Sequence, residues 1–222
     1  TTIAWSAEGA YDDDLIDDAD GEQDGSAEHP IIINSVEELY YLATKAGIDA
    51  TANNYYKLAD GIANVVLQSE KAASDIMDLK TAAEVNTYFA ENGGYKWDST
   101  VSQNVSEGRA ATFAFAGNFD GNGATVYGLY QTSTNNAGLF SSVDAGAVIQ
   151  NIGVQNSYLT SSSTSYQVAA IAPVANSSGY GVKQEGIVWV NGCTVANNYM
   201  YNACTSWERS GVIAGGFSND II

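Results

Sequence analysis

The feature that most constrains the fold is a loose internal repeat that begins at about Asn118. Small and apolar residues typical of strands recur at 137–140, 169–172 and 210–214. A turn rich in Gly, Ser, Asn or Asp follows each, and two copies continue into a second strand, at 149–154 and 190–195. Aligning Val154 with Val195 gives a period of 41 residues. Aligning Gly138 with Ala170 gives a period of 32. Such repeats cannot bury their inner faces singly, so they predict coils that stack on one another.

A turn motif opens the repeats and carries a family resemblance. Residues 119–130 read F-D-G-N-G-A-T-V-Y-G-L-Y, in which Asp and Asn can bond their own backbone and glycines accept positive φ. This run resembles the F-D-G-N-G-x-T-I-x-G-L signature of bacterial GLUG-type β-helix proteins, whose next coil reads G-L-F, a turn, then I-x-N-L-x-V. Residues 138–154 resemble that coil, and residues 31–58 resemble the strand, short helix and strand that precede the signature. The resemblance covers most of residues 30–222 and implies a scaffold rather than a particular function.

The repeats and the resemblance predict a mainly β fold, a right-handed parallel β-helix (solenoid) with a short N-terminal helix and a helical insertion. We expect one domain over 1–222, made of an acidic segment at 1–29, cap strands and a helix at 30–69, the insertion at 70–97 and the coils at 118–222. The family pattern would continue with another strand after the final residues, Asn219-Asp220-Ile221-Ile222. We therefore expect an incomplete last coil and a chain that belongs to a larger, multidomain surface protein.

Two capping boxes predict where helices begin, Ser35 with Glu38 and Thr81 with Glu84. Apolar residues at helical spacing follow the first box and surround the second. Gly47 is expected to end the first helix, and Gly93-Gly94 to end the second.

The charge balance limits the partners. The 26 acids and eight bases give a net charge of −18, and 21 of the acids lie in residues 1–110. Nucleic acids and anionic membrane surfaces both require clustered Lys and Arg, so we expect neither as a partner. The chain contains no run of about 18 apolar residues, which predicts no membrane insertion. We also expect a signal peptide to be absent or already removed.

The acidic residues between 12 and 24 leave a metal site as an alternative to a solvated loop. Ile16 stands where an EF-hand loop would need its first ligand, so that motif is not met. We expect no cofactor and no metal ligand, with calcium in this segment as the sharper alternative.

Catalytic constellations are weak in this sequence. The single histidine, His29, lies in an acidic loop without neighbours that would suit a triad or a metal site. Asp120 is explained by its turn, and Glu185 and Glu208 fall in loops of adjacent coils, where a paired-carboxylate mechanism would require them to meet. We expect no catalytic residue and no enzyme activity.

Two cysteines, Cys193 and Cys204, leave two interpretations open. They either form a disulfide that closes a small loop or pack as buried thiols.

Tyrosines recur at one position of the repeat. When Val126, Val154 and Val195 are taken as equivalent, the residue four positions further on is always a tyrosine, namely Tyr130, Tyr158 and Tyr199. Coils stack at about 4.8 Å, so an external tyrosine column would form a flat strip on which sugar rings could dock. The alternative is an aromatic stack with a purely structural role.

More aromatic residues cluster in the late coils. Trp189 alternates with Val188 and Val190, so we expect its side chain to point outward. Trp207 lies in a Thr-Ser-Trp-Glu-Arg loop without apolar neighbours. The predicted ligand-binding set is Trp189, Trp207, Tyr130, Tyr158, Tyr199, Tyr180 and Tyr201.

These features favour a non-catalytic carbohydrate-binding module of a secreted or cell-surface bacterial protein. The expected ligand is a neutral polysaccharide or oligosaccharide, a glucan such as starch or a cellulose-type chain, because the low cation count disfavours acidic polysaccharides. The second hypothesis is a structural or adhesive β-helix stalk that binds a protein partner. The third is a β-helix polysaccharide hydrolase or lyase.

Overall fold

The computed structural model describes residues 1–16, 22–98, 114–133, 137–144, 146–162, 168–175, 188–203 and 214–217. Helices in these residues are a 3-10 turn at Asp14–Ile16 and α1 (Val36–Thr44), α2 (Ile48–Thr51), α3 (Glu70–Asp78) and α4 (Ala82–Asn92). The strands are β1 (Thr2–Ala4), β2 (Ile31–Ile33), β3 (Tyr55–Leu58), β4 (Asn64–Val66), β5 (Asn118–Asp120), β6 (Thr125–Tyr127), β7 (Tyr130–Ser133), β8 (Val148–Gln150), β9 (Gly153–Gln155), β10 (Tyr158–Ser161), β11 (Ala172–Ala175), β12 (Trp189–Asn191), β13 (Thr194–Ala196), β14 (Tyr199–Asn202) and β15 (Ala214–Phe217).

All strand pairings found among the described residues are parallel. The first sheet has the order β1-β4-β6-β9-β13, the second β2-β3-β5-β8-β12 and the third β7-β10-β14. Strands β11 and β15 form a separate two-stranded sheet. Strands that are distant in sequence thus lie side by side, which places equivalent residues of successive repeats in straight rows.

The register of the first sheet confirms the alignment of the repeats. Val126 pairs with Val154, and Val154 pairs with Val195. The first two are fully buried and Val195 is partly buried against the same core. In the second sheet, Phe119 and Ile149 form an inner row that is equally buried. Because successive side chains of a strand point to opposite faces, the neighbours of these residues point outward.

The predicted fold class is wrong. The described residues do not show a mainly β, right-handed parallel β-helix: the strands fall into separate parallel sheets beside four α-helices. Helices hold about 22% of these residues and strands about 31%, which is a mixed composition. The capping boxes predict helices in residues 36–92, but neither they nor the repeat spacing of residues 118–222 encode how the strands divide into sheets. The incomplete last coil lies outside the described residues beyond Phe217.

The capping boxes begin helices as predicted. Ser35 caps α1 with the full reciprocal box, and Thr81 caps α4 by accepting from the Glu84 backbone N–H at 3.2 Å. Gly93 ends α4 with φ +64°, as expected. The prediction for Gly47 is wrong, because α1 ends at Thr44 and Gly47 is the N-cap of α2.

The helical segment at 70–97 is held on the sheets by side-chain amides. The Nδ2 group of Asn156, which is fully buried, donates to the carbonyl oxygens of Ile76 at 2.8 Å and Leu79 at 2.9 Å. Gln68 ties the two ends of the segment together, because its Nε2 donates to the Tyr95 carbonyl at 2.9 Å. Ile76, Val85 and Phe89 form a small apolar cluster separate from the main core. None of the described helices is long and apolar enough to cross a membrane.

Candidate functional site

The outer face of the second sheet carries two exposed aromatic side chains in one row. Tyr55 pairs with Asn118, Asn118 with Val148, and Val148 with Trp189. Tyr55 is 39% exposed and Trp189 is 43% exposed, whereas Asn118 and Val148 between them are half-buried. We call these four residues the aromatic row. Its two ring-bearing ends are three strand spacings apart, about 14 Å at about 4.8 Å per strand.

A second row of polar residues runs beside the aromatic row. It consists of Lys57, Asp120, Gln150 and Asn191, which are register partners on the same four strands. We call it the polar row. Residues two apart on a strand point to the same face, so the polar row lies about 6.7 Å from the aromatic row. The outer face therefore combines flat apolar rings with hydrogen-bonding groups.

Asp120 is held firmly within the polar row. Its Oδ1 accepts from the Asn122 backbone N–H at 2.8 Å and from Asn151 Nδ2 at 3.0 Å. Its Oδ2 accepts from Gln150 Nε2 at 3.2 Å. Three donors occupy this carboxylate, so the structure agrees with a turn-forming role for Asp120.

Lys57 also has a partner. Its Nζ lies 2.8 Å from Asp60 Oδ1 in an ion pair at the end of β3. The hydrogen bond from Lys57, with a second from Asn122, lowers the pKa of the Asp60 carboxyl. The cation of the polar row is thus engaged with an acid of the same chain.

The predicted tyrosine column exists, and helix α4 packs on it. Tyr130, Tyr158 and Tyr199 are register partners, which confirms their predicted equivalence. The Tyr158 and Tyr199 rings stack at 5.2 Å, and those of Tyr130 and Tyr158 lie 5.5 Å apart. Phe89 stacks on Tyr130 at 5.1 Å and lies 6.0 Å from Tyr158. Burial, followed by the neighbouring tyrosines, raises the pKa of Tyr158. These contacts favour the structural interpretation of the column, and ligand binding by it stays a prediction.

The other predicted aromatic residues are distributed differently. Tyr201 is 56% exposed and pairs with Thr160 on the third sheet. Trp189 points outward as expected, since Val188 is buried and Trp189 is exposed. Tyr180 and Trp207 lie outside the described residues. Among the described members of the predicted set, only Trp189 lies in the aromatic row.

Tyr55 is the residue that the sequence-based site lacks. It belongs to the strand motif YYKL, which comes before the repeats in the chain. Its register equivalents on the next two strands, Asn118 and Val148, are not aromatic, so the repeat pattern does not point to Tyr55. A signal does exist in the strand itself: Tyr56 and Leu58 are buried, so alternation points Tyr55 outward.

The candidate metal and histidine positions lie in the N-terminal acidic segment. Asp12, Asp13 and Asp14 each offer a carboxylate oxygen within 4.8 Å of the others, and calcium binding there stays a prediction. Residues 17–21 of the acidic segment lie outside the described residues. His29 is exposed, and its backbone N–H donates to Ser26 Oγ at 3.1 Å.

The remaining predicted chemistry is only partly described. Cys193 is a partly buried free thiol, and burial raises its pKa. Cys204, Glu185 and Glu208 lie outside the described residues, so the paired-carboxylate alternative stays a prediction.

Comparison with known proteins yields no assignment. No protein-family model, curated protein or solved structure matches this chain.

Proposed function

We propose that this chain is a non-catalytic carbohydrate-binding module that binds a neutral polysaccharide on the outer face of its second sheet. The observation that carries the proposal is the aromatic row, in which Tyr55 and Trp189 are exposed at the two ends of one register row. Sugar rings present C–H faces that pack on aromatic rings, and their hydroxyl groups require hydrogen-bonding partners beside those rings.

The polar row supplies partners of the right kind. Gln150 and Asn191 are neutral amides, which can both donate to and accept from hydroxyl groups. The chain carries a net charge of −18, which disfavours polyanionic ligands such as nucleic acids or uronic acid polymers. Support for a neutral ligand therefore comes from the local groups and from the overall charge.

Absence of catalysis is part of the proposal. Glycosidases require a carboxylic acid and a second carboxylate at a defined separation. Asp120 is the carboxylate of the polar row, and its oxygens already accept three hydrogen bonds. A polysaccharide ligand also suits the secreted or cell-surface location that we infer for the chain.

A pull-down on insoluble polysaccharides tests this proposal. We expect wild-type protein to be retained on a neutral glucan, and the double variant Tyr55→Ala/Trp189→Ala to lose at least tenfold in retention. Tyr11→Ala is the matched control, because Tyr11 is also an exposed aromatic residue, at 51%, but stacks on Tyr41 and does not belong to the aromatic row. Trp207→Ala is a separate variant that tests whether the predicted loop tryptophan contributes to retention.

Two results would contradict the proposal. One is failure of the wild-type protein to bind any neutral polysaccharide while it remains folded, which would favour the stalk hypothesis. The other is equal retention of the wild-type protein and the double variant, which would place binding elsewhere on the chain.

A further inference from the structure

We infer that the ligand is an extended, linear, neutral glycan that lies across the strands along the aromatic row, in contact with Tyr55 and Trp189 at once. This inference rests on the proposed function and adds the direction and conformation of the bound chain. A β-1,4-linked glucan has the required shape, whereas an α-1,4-linked glucan curves.

The two exposed rings lie at opposite ends of the aromatic row. Parallel pairing aligns Tyr55, Asn118, Val148 and Trp189 across β3, β5, β8 and β12. The strands that carry the two rings therefore lie about 14 Å apart, with only an amide and an isopropyl side chain between the rings along the row. A single sugar ring can contact one aromatic ring but cannot reach the second. A chain of several sugar rings reaches both when it runs perpendicular to the strands.

The surface between the two rings is lower than the rings themselves. Asn118 and Val148 are shorter than Tyr55 and Trp189 and are half-buried. An extended chain can rest on the two larger rings and bridge the lower surface between them. A chain that curves toward or away from the sheet would keep contact with one ring only.

Two amide side chains with hydrogen-bonding capacity lie within and beside the aromatic row, namely Asn118 and Asn191. Asn191 is exposed, and its side chain makes no hydrogen bond with any residue that the structure describes. Among the described residues, the Asn118 amide makes a single long contact, 3.5 Å from its Nδ2 to the Asn54 carbonyl. Asn118 lies in the middle of the aromatic row and Asn191 lies beside Trp189 in the polar row, so hydroxyl groups of a bound chain would face both amides.

Charge narrows the ligand class further. Lys57 is the cation of the two rows, and its Nζ is paired with Asp60 at 2.8 Å. Asp120 adds a negative charge beside Gln150. A uronic acid chain would bring carboxylates toward Asp120 without an available cation, so a neutral chain fits better.

Calorimetric titration with two series of soluble oligosaccharides tests the inference. Cello-oligosaccharides and malto-oligosaccharides of two to six sugar residues are titrated into the wild-type protein, Tyr55→Ala, Trp189→Ala and the control Tyr11→Ala. We expect affinity for the β-1,4 series to rise steeply at the length that spans both rings and then to level off. At that length Tyr55→Ala should weaken binding roughly tenfold, as loss of one aromatic anchor does at other interfaces. For the disaccharide it should have no more effect than Tyr11→Ala.

The variants should fold, because both side chains are exposed, and thermal unfolding verifies this for each. Tyr55→Phe should restore long-chain affinity, since it keeps the ring. Affinity that is independent of length, or Tyr55→Ala binding like the wild type while Trp189→Ala loses binding, would overturn the inference and leave the proposed function standing. Equal or tighter binding of the malto-oligosaccharides would also overturn it. Binding of neither series, together with no retention on insoluble polysaccharides, would instead refute the proposed function.

Discussion

Replacing Asn156 by glycine should weaken the attachment of helix α3 to the sheets and lower the free energy of unfolding. The same substitution at Asn197 measures the backbone contribution separately. Asn156 has φ +54°, and Asn197 occupies the corresponding corner one repeat later with φ +55°. Glycine adopts this conformation readily, so both Asn→Gly substitutions carry the same small backbone term. Only Asn156 also donates to the Ile76 and Leu79 carbonyls, at 2.8 and 2.9 Å.

The magnitude follows from these two bonds. Each hydrogen bond contributes about 0.5–1.5 kcal/mol net, so two such bonds contribute about 1–3 kcal/mol. Leu79 loses this partner, whereas Ile76 keeps a backbone bond from the Leu79 N–H at 3.3 Å. We expect Asn156→Gly to lower the free energy of unfolding by about 2–3 kcal/mol more than Asn197→Gly does.

Urea unfolding of both variants measures this difference, and hydrogen exchange locates it. In a domain of this size the melting temperature should fall by about 5–10 °C relative to Asn197→Gly. Amide protection should be lost first in α3 and the residues that follow it. Equal destabilisation of the two variants, or unchanged protection in α3, would refute the claim that Asn156 anchors the helical segment.

Two further predictions concern side chains that pack on the sheets. Phe89→Ala should lower the free energy of unfolding by about 3–4 kcal/mol, because Phe89 is 3% exposed and packs on the tyrosine column. Since the Phe89 ring stacks on Tyr130, its removal should also speed up iodination of Tyr130. An unchanged iodination rate would contradict this packing. In a Cys204→Ser variant, the reaction of Cys193 with a disulfide reagent should speed up at a higher pH than the reaction of a small exposed thiol, because burial raises the pKa of Cys193. Since the folded-state pKa is the higher one, the associated stability is complete below the unfolded-state pKa and is lost as pH rises through the folded-state value; a profile that matches a model thiol would contradict the burial of Cys193.

Sequence patterns predict which residues of successive strands are register partners better than they predict the overall architecture. The equivalence of Tyr130, Tyr158 and Tyr199 follows from counting four residues on from aligned valines, because register in parallel pairing preserves such spacing. The outward direction of Trp189 follows from strand alternation alone.

What covers a row cannot be predicted in the same way. Phe89 comes from a helix about 40 residues before Tyr130 in the chain, and its ring lies on the tyrosine column through tertiary packing that no local pattern encodes. Tyr55 reaches the row of Trp189 only because three strand pairings intervene between them. The two capped helices are predicted from local sequence, but the division of the strands into separate parallel sheets beside them depends on long-range pairing that local patterns do not encode.

The central claim is that a neutral glycan binds at the aromatic row, and the indole N–H signals in a two-dimensional NMR spectrum test it most directly. The chain has four tryptophans, of which Trp5 and Trp97 are 1% exposed in the core. Trp189→Phe assigns the signal of Trp189 by its disappearance. On titration with a β-1,4-linked oligosaccharide, the Trp189 signal should shift with a saturating dependence, while the signals of Trp5 and Trp97 stay in place. A Trp189 signal that does not move under conditions in which the protein binds the glycan would contradict the account.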